Sequence, residues 1–244
     1  MPNEHVSLQR EKSIVEWLFF CAPQAEAIYL VGDVFDFWFE YKKAIPRGFV
    51  RFLGTLAKIT DSGVPVYVFP GNHDLWISDY LEKECGVKIV SEACEFTHHG
   101  KKFFVHHGDG MGPGDKSYKL LKKIFTARFA RFLFQWIHPN LGIALAHTLS
   151  KKSRLSQNPK EDNYLGQTKE HLAQFVSDHS SQCDRAADYY IFGHRHLVLD
   201  VSINQSRYIN LGEWLHGSQY AVFDGETLQL LQWPSNKEAH VQNV

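Results

Sequence analysis

Four short apolar runs in this chain end in the same way, with glycine beside a residue type that binds metals. Val64–Phe69 stops at Pro70-Gly71 and delivers Asn72, His73 and Asp74. The run at 27–31 ends in Gly32-Asp33, that at 102–106 in His107-Gly108-Asp109, and that at 188–192 in Gly193-His194-Arg195-His196. Short runs rich in β-branched and aromatic residues and bounded by Gly or Pro read as buried strands. A helix-like stretch at 47–61 separates the first two. Strand–helix–strand alternation implies parallel strands joined by crossover helices, an α/β fold. Ligands in such sheets bind beyond the carboxyl ends of the strands. Where the strands end is therefore where a site is expected.

The rest of the chain fits around this frame. Leu8, Ile14, Val15, Leu18 and Phe19 recur at roughly helical spacing and predict an amphipathic helix over Leu8–Phe20. A short helix is expected near 78–84, and strands near 87–90 and 94–98. Residues 115–150 read as a largely helical block with a turn at His138–Gly142, and a further helix spans about 163–178. Strands return at 198–203, 207–210, 219–223 and 227–232. With 244 residues, 44% of them hydrophobic, one domain over 1–244 is expected, with a helical insertion at about 115–160. Cys21, Cys85, Cys94 and Cys183 are far apart and form no Cys-x-x-Cys pair, which favours buried thiols in a reducing cytosol over a zinc knuckle or disulfides. The polar start, Met1 to Lys12, lacks the apolar stretch of a secretory signal, so a cytoplasmic protein is expected.

The residue types at the strand ends suit a two-metal hydrolytic site. Two cations ~3.5–4 Å apart clamp the oxygens of an in-line phosphoryl displacement. Ions that close need an anionic bridge, and Asp33 is the natural one. Imidazole and oxygen donors suit Mn, Fe, Zn or Mg. Asn72 adds an oxygen without further negative charge. His73, next to a ligand, suits an acid or orienting donor, with Asp74 fixing its tautomer.

The blocks Gly32–Trp38, Gly71–Asp74, His106–Gly110 and Gly193–His196 resemble the signature motifs of calcineurin-like metallophosphoesterases. Within them, "GDVFDFWFE" followed by "HGDGMGPGDKSYK" is similar to UDP-2,3-diacylglucosamine hydrolases of bacterial lipid A biosynthesis. The resemblance implies a β-sandwich flanked by helices and a dinuclear centre usually populated by manganese. It implies Asp33 as the bridge, Asn72, His107 and His194 on one metal, His196 on the other, and His73 as the catalytic histidine. It also implies Asn72 and Asp115 as substrate contacts. Family members open with a strand ending in Asp-x-His, which brings two ligands to the first metal. No such block lies upstream of Asp33 here. That metal keeps only Asp33 and His196, and His5 in its polar segment reads as a surface residue. The expectation is a truncated version of a working enzyme that binds about one metal tightly and hydrolyses substrate poorly.

Charge adds a partner. Residues 115–160 hold ten Lys and Arg against one acid, while the rest of the chain has sixteen basic residues against twenty-six acidic ones. Such a split points to an anionic partner. Lys122, Lys123, Arg128 and Arg131 alternate with Phe125, Phe129, Phe132, Phe134 and Trp136, as an interfacial lipid surface would. Arg154 and its lysine neighbours suit a diphosphate. Pro139, Asn140 and Gly142 interrupt the uncharged run at 132–150, so no spanning helix is expected. No nucleic-acid recognition motif appears. The reading is an enzyme that hydrolyses the diphosphate of UDP-2,3-diacylglucosamine to UMP and a lipid monophosphate, peripherally bound to the cytoplasmic face of a bacterial inner membrane. The alternatives are a phosphoesterase of soluble nucleotides or phosphoesters, and a catalytically impaired scaffold.

Overall fold

Strand β1 (Ile28–Val31) pairs in parallel with β2 (Val66–Phe69), and β2 in parallel with β3 (Lys88–Ile89). The structure is a computed structural model that describes residues 4–114, 116–156, 163–182, 186–215, 217–234 and 237–238. A second sheet runs in the order β4 (Cys94–His98), β5 (Lys101–Val105), β6 (Tyr189–Phe192), β8 (Ser206–Leu211), β7 (Val198–Ile203). Its inner strands β5, β6 and β8 are parallel, and the hairpin partners β4 and β7 close its edges in antiparallel fashion. A third, antiparallel sheet is formed by β9 (Gln219–Phe223), β10 (Leu228–Gln232) and the short β11 (Lys237–Glu238), which the sequence reading missed.

Burial explains the layering. Every residue of β6 is buried, as expected of a parallel strand covered on both faces. In β1 and β2 the alternate residues face two different cores. One core lies under α1 (Glu4–Cys21), α2 (Val50–Asp61) and α3 (Tyr80–Cys85) and holds Leu18, Leu30, Phe35, Trp38, Leu56 and Val66. The other lies between the sheets and holds Phe69, Val105, Ile191, Ile209 and Leu230. Across it runs a stack of five rings, Tyr67–Tyr29–Phe96–Phe103–Tyr189, with neighbouring centroids 4.9 to 5.2 Å apart. Helix α7 (His171–Ser180) covers the outer face of the five-stranded sheet with Leu172, Ala173 and Val176. The result is the helix-flanked β-sandwich that the motifs implied.

The helical block differs in its breaks. It comprises α4 (Lys116–Thr126), α5 (Arg128–Gln135) and α6 (Pro139–Ser156). The expected turn at His138–Gly142 is the start of α6. Proline suits a first helical turn because that turn leaves its N–H groups without intrahelical partners. The helix expected from 163 begins at His171. Before it, Lys169 and Glu170 donate their N–H groups to Gly166 in a turn, and the Glu170 carboxylate accepts from Leu165 N–H and Arg195.

Among the described residues β1 and β9 are edge strands of separate sheets. A cavity of about 1320 Å³ lies between them, reaching from Glu26 and His98 to Asp33, His73 and His196.

Phe35, 1% exposed, stacks on Trp38 at 4.3 Å. Truncating a buried phenylalanine costs ~3–5 kcal/mol. Phe35→Ala is expected to lower the unfolding free energy by that amount, read as a lower urea midpoint at unchanged slope, and an unchanged midpoint would place Phe35 outside the core.

Candidate functional site

Backbone geometry at the strand ends brings the polar side chains together. Gly32 and Asp33 follow β1 with φ of 84° and 51°. A left-handed aspartate is uncommon and bears strain, a pattern that clusters at functional sites. The close approaches demand glycine. A Cβ on Gly32 would overlap the His107 ring, one on Gly71 would overlap Asp33, and one on Gly193 would lie 2.6 Å from the Val31 carbonyl.

These contacts converge on four donors. The His107 ring bonds through Nδ1 to the Val31 carbonyl at 3.0 Å. A neutral His107 therefore carries its proton on Nδ1 and turns the Nε2 lone pair to the site. That Nε2 is 3.2 Å from Asn72 Oδ1 and 3.4 Å from Asp33 Oδ2. His194 Nδ1 lies 3.0 Å from the same Asn72 oxygen. The His107 carbonyl accepts the N–H groups of Gly193 and His194, and Asp33 Oδ1 accepts that of His73 at 2.8 Å. Beneath them Asp74, fully buried, accepts Gly71 N–H at 2.6 Å and Phe35 N–H at 3.2 Å, which holds the β2 turn against the β1 turn.

Electrostatics reflects the packing. Burial opposes the charge on Asp33, but the charge and hydrogen bond of His107, with help from His73, outweigh it and hold the carboxyl far below its usual range. Burial likewise opposes a proton on His107, yet Asp33 above all, then Asp109 and the Val31 carbonyl, raise its pKa to about 9. Burial and the charge of His107 lower His194 to about 4, and burial lowers His106 to about 4. Burial and the neighbouring Asp33 push Asp74 up to about 7, against its two backbone donors.

The donors fit a divalent cation. One carboxylate, one amide oxygen and two imidazoles suit manganese, iron or zinc. Donors ~2.0–2.2 Å from a metal lie roughly 3 Å from one another, close to the separations of Asn72 from His107 (3.2 Å) and from His194 (3.0 Å) and of Asp33 from His107 (3.4 Å).

Of the residues singled out in the sequence, these four come together. His73 and His196 line the cavity beside Asp33, and His196 is exposed. Asp115 lies outside the described residues. Arg154 falls in α6, and its side chain lies outside them too. The sequence reading gave no role to Asp109, which is buried. Its Oδ2 accepts Tyr118 Oη at 2.7 Å and pairs with Lys122 Nζ at 2.7 Å, tying α4 to the end of β5. The motif around Asp109 was visible, but its partners follow nine and thirteen residues later and only the fold pairs them. Lys122, expected on a lipid surface, therefore turns inward.

Residues 5–198 match the family model for calcineurin-like phosphoesterases. The UDP-2,3-diacylglucosamine hydrolase of Porphyromonas gingivalis is 38% identical over 232 residues, which cover 90% of this chain and 88% of that protein. That of Aeromonas hydrophila is 26% identical over 231 residues, covering 91% and 92%. Among solved structures, the phosphoesterase YfcE from E. coli aligns over 95% of this chain and 90% of its own at 14% identity, with a TM-score of 0.48.

Metal binding deprotonates its ligands. At about pH 8, His107 is the donor that still carries an exchangeable proton, so binding a cation should release about one proton. Calorimetry in two buffers of different ionisation enthalpy reads this directly, and release of none would contradict the charge state given to His107.

Proposed function

This chain belongs to the calcineurin-like phosphoesterase family, and we propose that it hydrolyses the diphosphate of UDP-2,3-diacylglucosamine, giving UMP and a lipid monophosphate. One observation carries the choice of substrate. A single aromatic cluster joins the polar site to an apolar, cationic helical surface. Phe37, Phe39 and Trp76, from the segments that follow Asp33 and Asn72, pack against Phe125, Phe134, Ile143 and Ala146 of the helical block. Trp76 Nε1 donates to the Phe125 carbonyl at 2.8 Å. A substrate with a charged head and acyl tails needs both surfaces side by side, and a soluble phosphoester needs only the first.

In the proposed reaction water adds to phosphorus and the bond between phosphorus and the bridging diphosphate oxygen breaks. Asp33, Asn72, His107 and His194 would hold a divalent cation, whose chemistry there would be activation of water and offset of charge on the phosphoryl oxygens. Manganese is the proposed metal, and Asp33 and His196 face the cavity where a second ion would sit. Asp33 supplies the anionic donor. Asn72 supplies a neutral one, which spares an anionic substrate further repulsion. His73, anchored through its backbone to Asp33, delivers a proton to the departing oxygen. Asp109, Tyr118 and Lys122 hold α4 beside the site, and Asp115 and Arg154 are proposed substrate contacts.

The helical block, α4 to α6, serves as the acyl-binding cap and as a peripheral attachment to the cytoplasmic leaflet. Nine of the fourteen exposed large hydrophobic residues among those described lie between Leu120 and Leu145, including Phe129, Phe132 and Trp136. A concentration of that kind marks an interaction surface, and Lys116, Lys123, Arg128 and Arg131 add positive charge for anionic lipid. Among the described residues no helix is long and apolar enough to cross a membrane.

Hydrolysis of micelle-dispersed UDP-2,3-diacylglucosamine with manganese, assayed beside a soluble phosphodiester, tests the substrate. Preference for the lipid supports the proposal, and equal or better turnover of the soluble ester sinks it. Asp33→Ala and His107→Ala should each abolish turnover. His73→Ala should slow it by ~10²–10⁴ while leaving metal content unchanged. Replacing Phe129, Phe132 and Trp136 with serine should cut co-sedimentation with anionic vesicles but spare turnover of a soluble ester. Undiminished sedimentation would remove the attachment surface.

A further inference from the structure

Glu26, His98 and His99 meet on the surface at the other end of β1 from the site. Glu26 precedes β1, His98 is the last residue of β4, and His99 with Gly100 connects β4 to β5. Asp33 lies seven positions after Glu26, which at ~3.3 Å per extended residue puts the two ends roughly 20 Å apart. His98 Nε2 is 3.0 Å from Glu26 Oε2, and His99 Nε2 is 3.4 Å from Glu26 Oε1. One donor atom of each residue lies within 4.8 Å of the other two.

We propose that Glu26, His98 and His99 form a second metal site, selective for a first-row divalent cation of the zinc class and independent of the phosphoesterase centre. Two imidazoles and one carboxylate are a donor set for zinc, iron, nickel or copper, whereas magnesium and calcium prefer oxygen throughout. Donors ~2.0–2.2 Å from such an ion lie roughly 3 Å from each other, with the wider separations in tetrahedral sites. The two histidine–glutamate separations fall in that range. The third side, between the two imidazoles, is no longer than 4.8 Å.

The histidines are arranged in advance. The residues β4 and β5 pair up to His98 opposite Lys101, leaving a two-residue connection. Both its members are left-handed, His99 with φ 47° and Gly100 with φ 76°, as this tight connection requires. Asparagine, aspartate or glycine is the usual first residue there, and here it is an imidazole. This turn sets the His99 ring 4.7 Å from that of His98, nearly perpendicular, and both rings lie against Phe223 of β9. The three side chains stay partly open to solvent, with room for water on the ion. Glu26, His98 and His99 also line the end of the cavity between β1 and β9. A bound ion would clip the β4–β5 hairpin to the segment entering β1 across that opening.

The test is zinc titration of chelator-treated full chain, comparing wild type with His98→Ala/His99→Ala and with Glu26→Gln. Wild type should bind one more equivalent of zinc than the double variant, and Glu26→Gln should weaken that equivalent. All three should hydrolyse phosphoester equally with manganese, which checks that the variants fold. Zinc should also slow hydrogen exchange at Thr97–Lys102 in wild type and not in the double variant. If all three proteins take up zinc with the same stoichiometry and affinity, the cluster is an ion pair only and the proposal fails. It fails equally if Asn72→Ala alone removes every zinc equivalent.

Discussion

His107 stands where four strand ends meet, and its contacts set the spacing of all of them. Its ring nitrogens engage the Val31 carbonyl on one side and face Asn72 and Asp33 on the other, and its carbonyl takes the N–H groups of Gly193 and His194. Buried polar groups are costly unless they are paired, so this arrangement is stable only with all its partners in place. Gly32, Gly71 and Gly193 are fixed by the same demand, because a side chain at any of them would push the strand ends apart. Before any metal arrives, the ion pair of Asp33 with His107 carries the charge of the site. A cation bound there would take the place of the proton on His107.

A second dependence runs outward from the site. The segment after Asp33 supplies Phe35 and Trp38 to the core under α1 and α2, and Phe37 and Phe39 to the cluster under the helical block. One short stretch thus secures the Gly32-Asp33 turn to the domain and packs against the helices beside it. Asp109 repeats the device with polar groups, reaching Tyr118 and Lys122 of α4. These contacts join the helical block directly to the segments that carry the strand ends.

What the sequence disclosed follows from how local each signal was. Strand runs ending in Gly plus a ligand type are contiguous, and the convergence of Asp33, Asn72, His107 and His194 at the strand ends was readable from them. So was the order of strands and helices, with the sandwich implied by the motifs. Features made by distant partners were not readable. The pairing of Asp109 with Lys122, the buried support from Asp74 and the meeting of Glu26 with the β4–β5 turn all depend on tertiary contacts. The turn expected at His138–Gly142 was misplaced because Pro139 punctuates a helix start as well as a loop, and the helix expected from 163 was overridden by the Gly166 turn that places Glu170 against Arg195.

The central claim is that the strand ends assemble one metal-binding phosphoesterase centre from Asp33, Asn72, His107 and His194. Anomalous diffraction at the manganese edge from crystals soaked in manganese locates the ion without reference to activity. The account predicts a peak within bonding distance of those four side chains, lost in an Asn72→Ala/His107→Ala double variant. A strong peak elsewhere with none at these residues, in a protein that hydrolyses phosphoester, would contradict it.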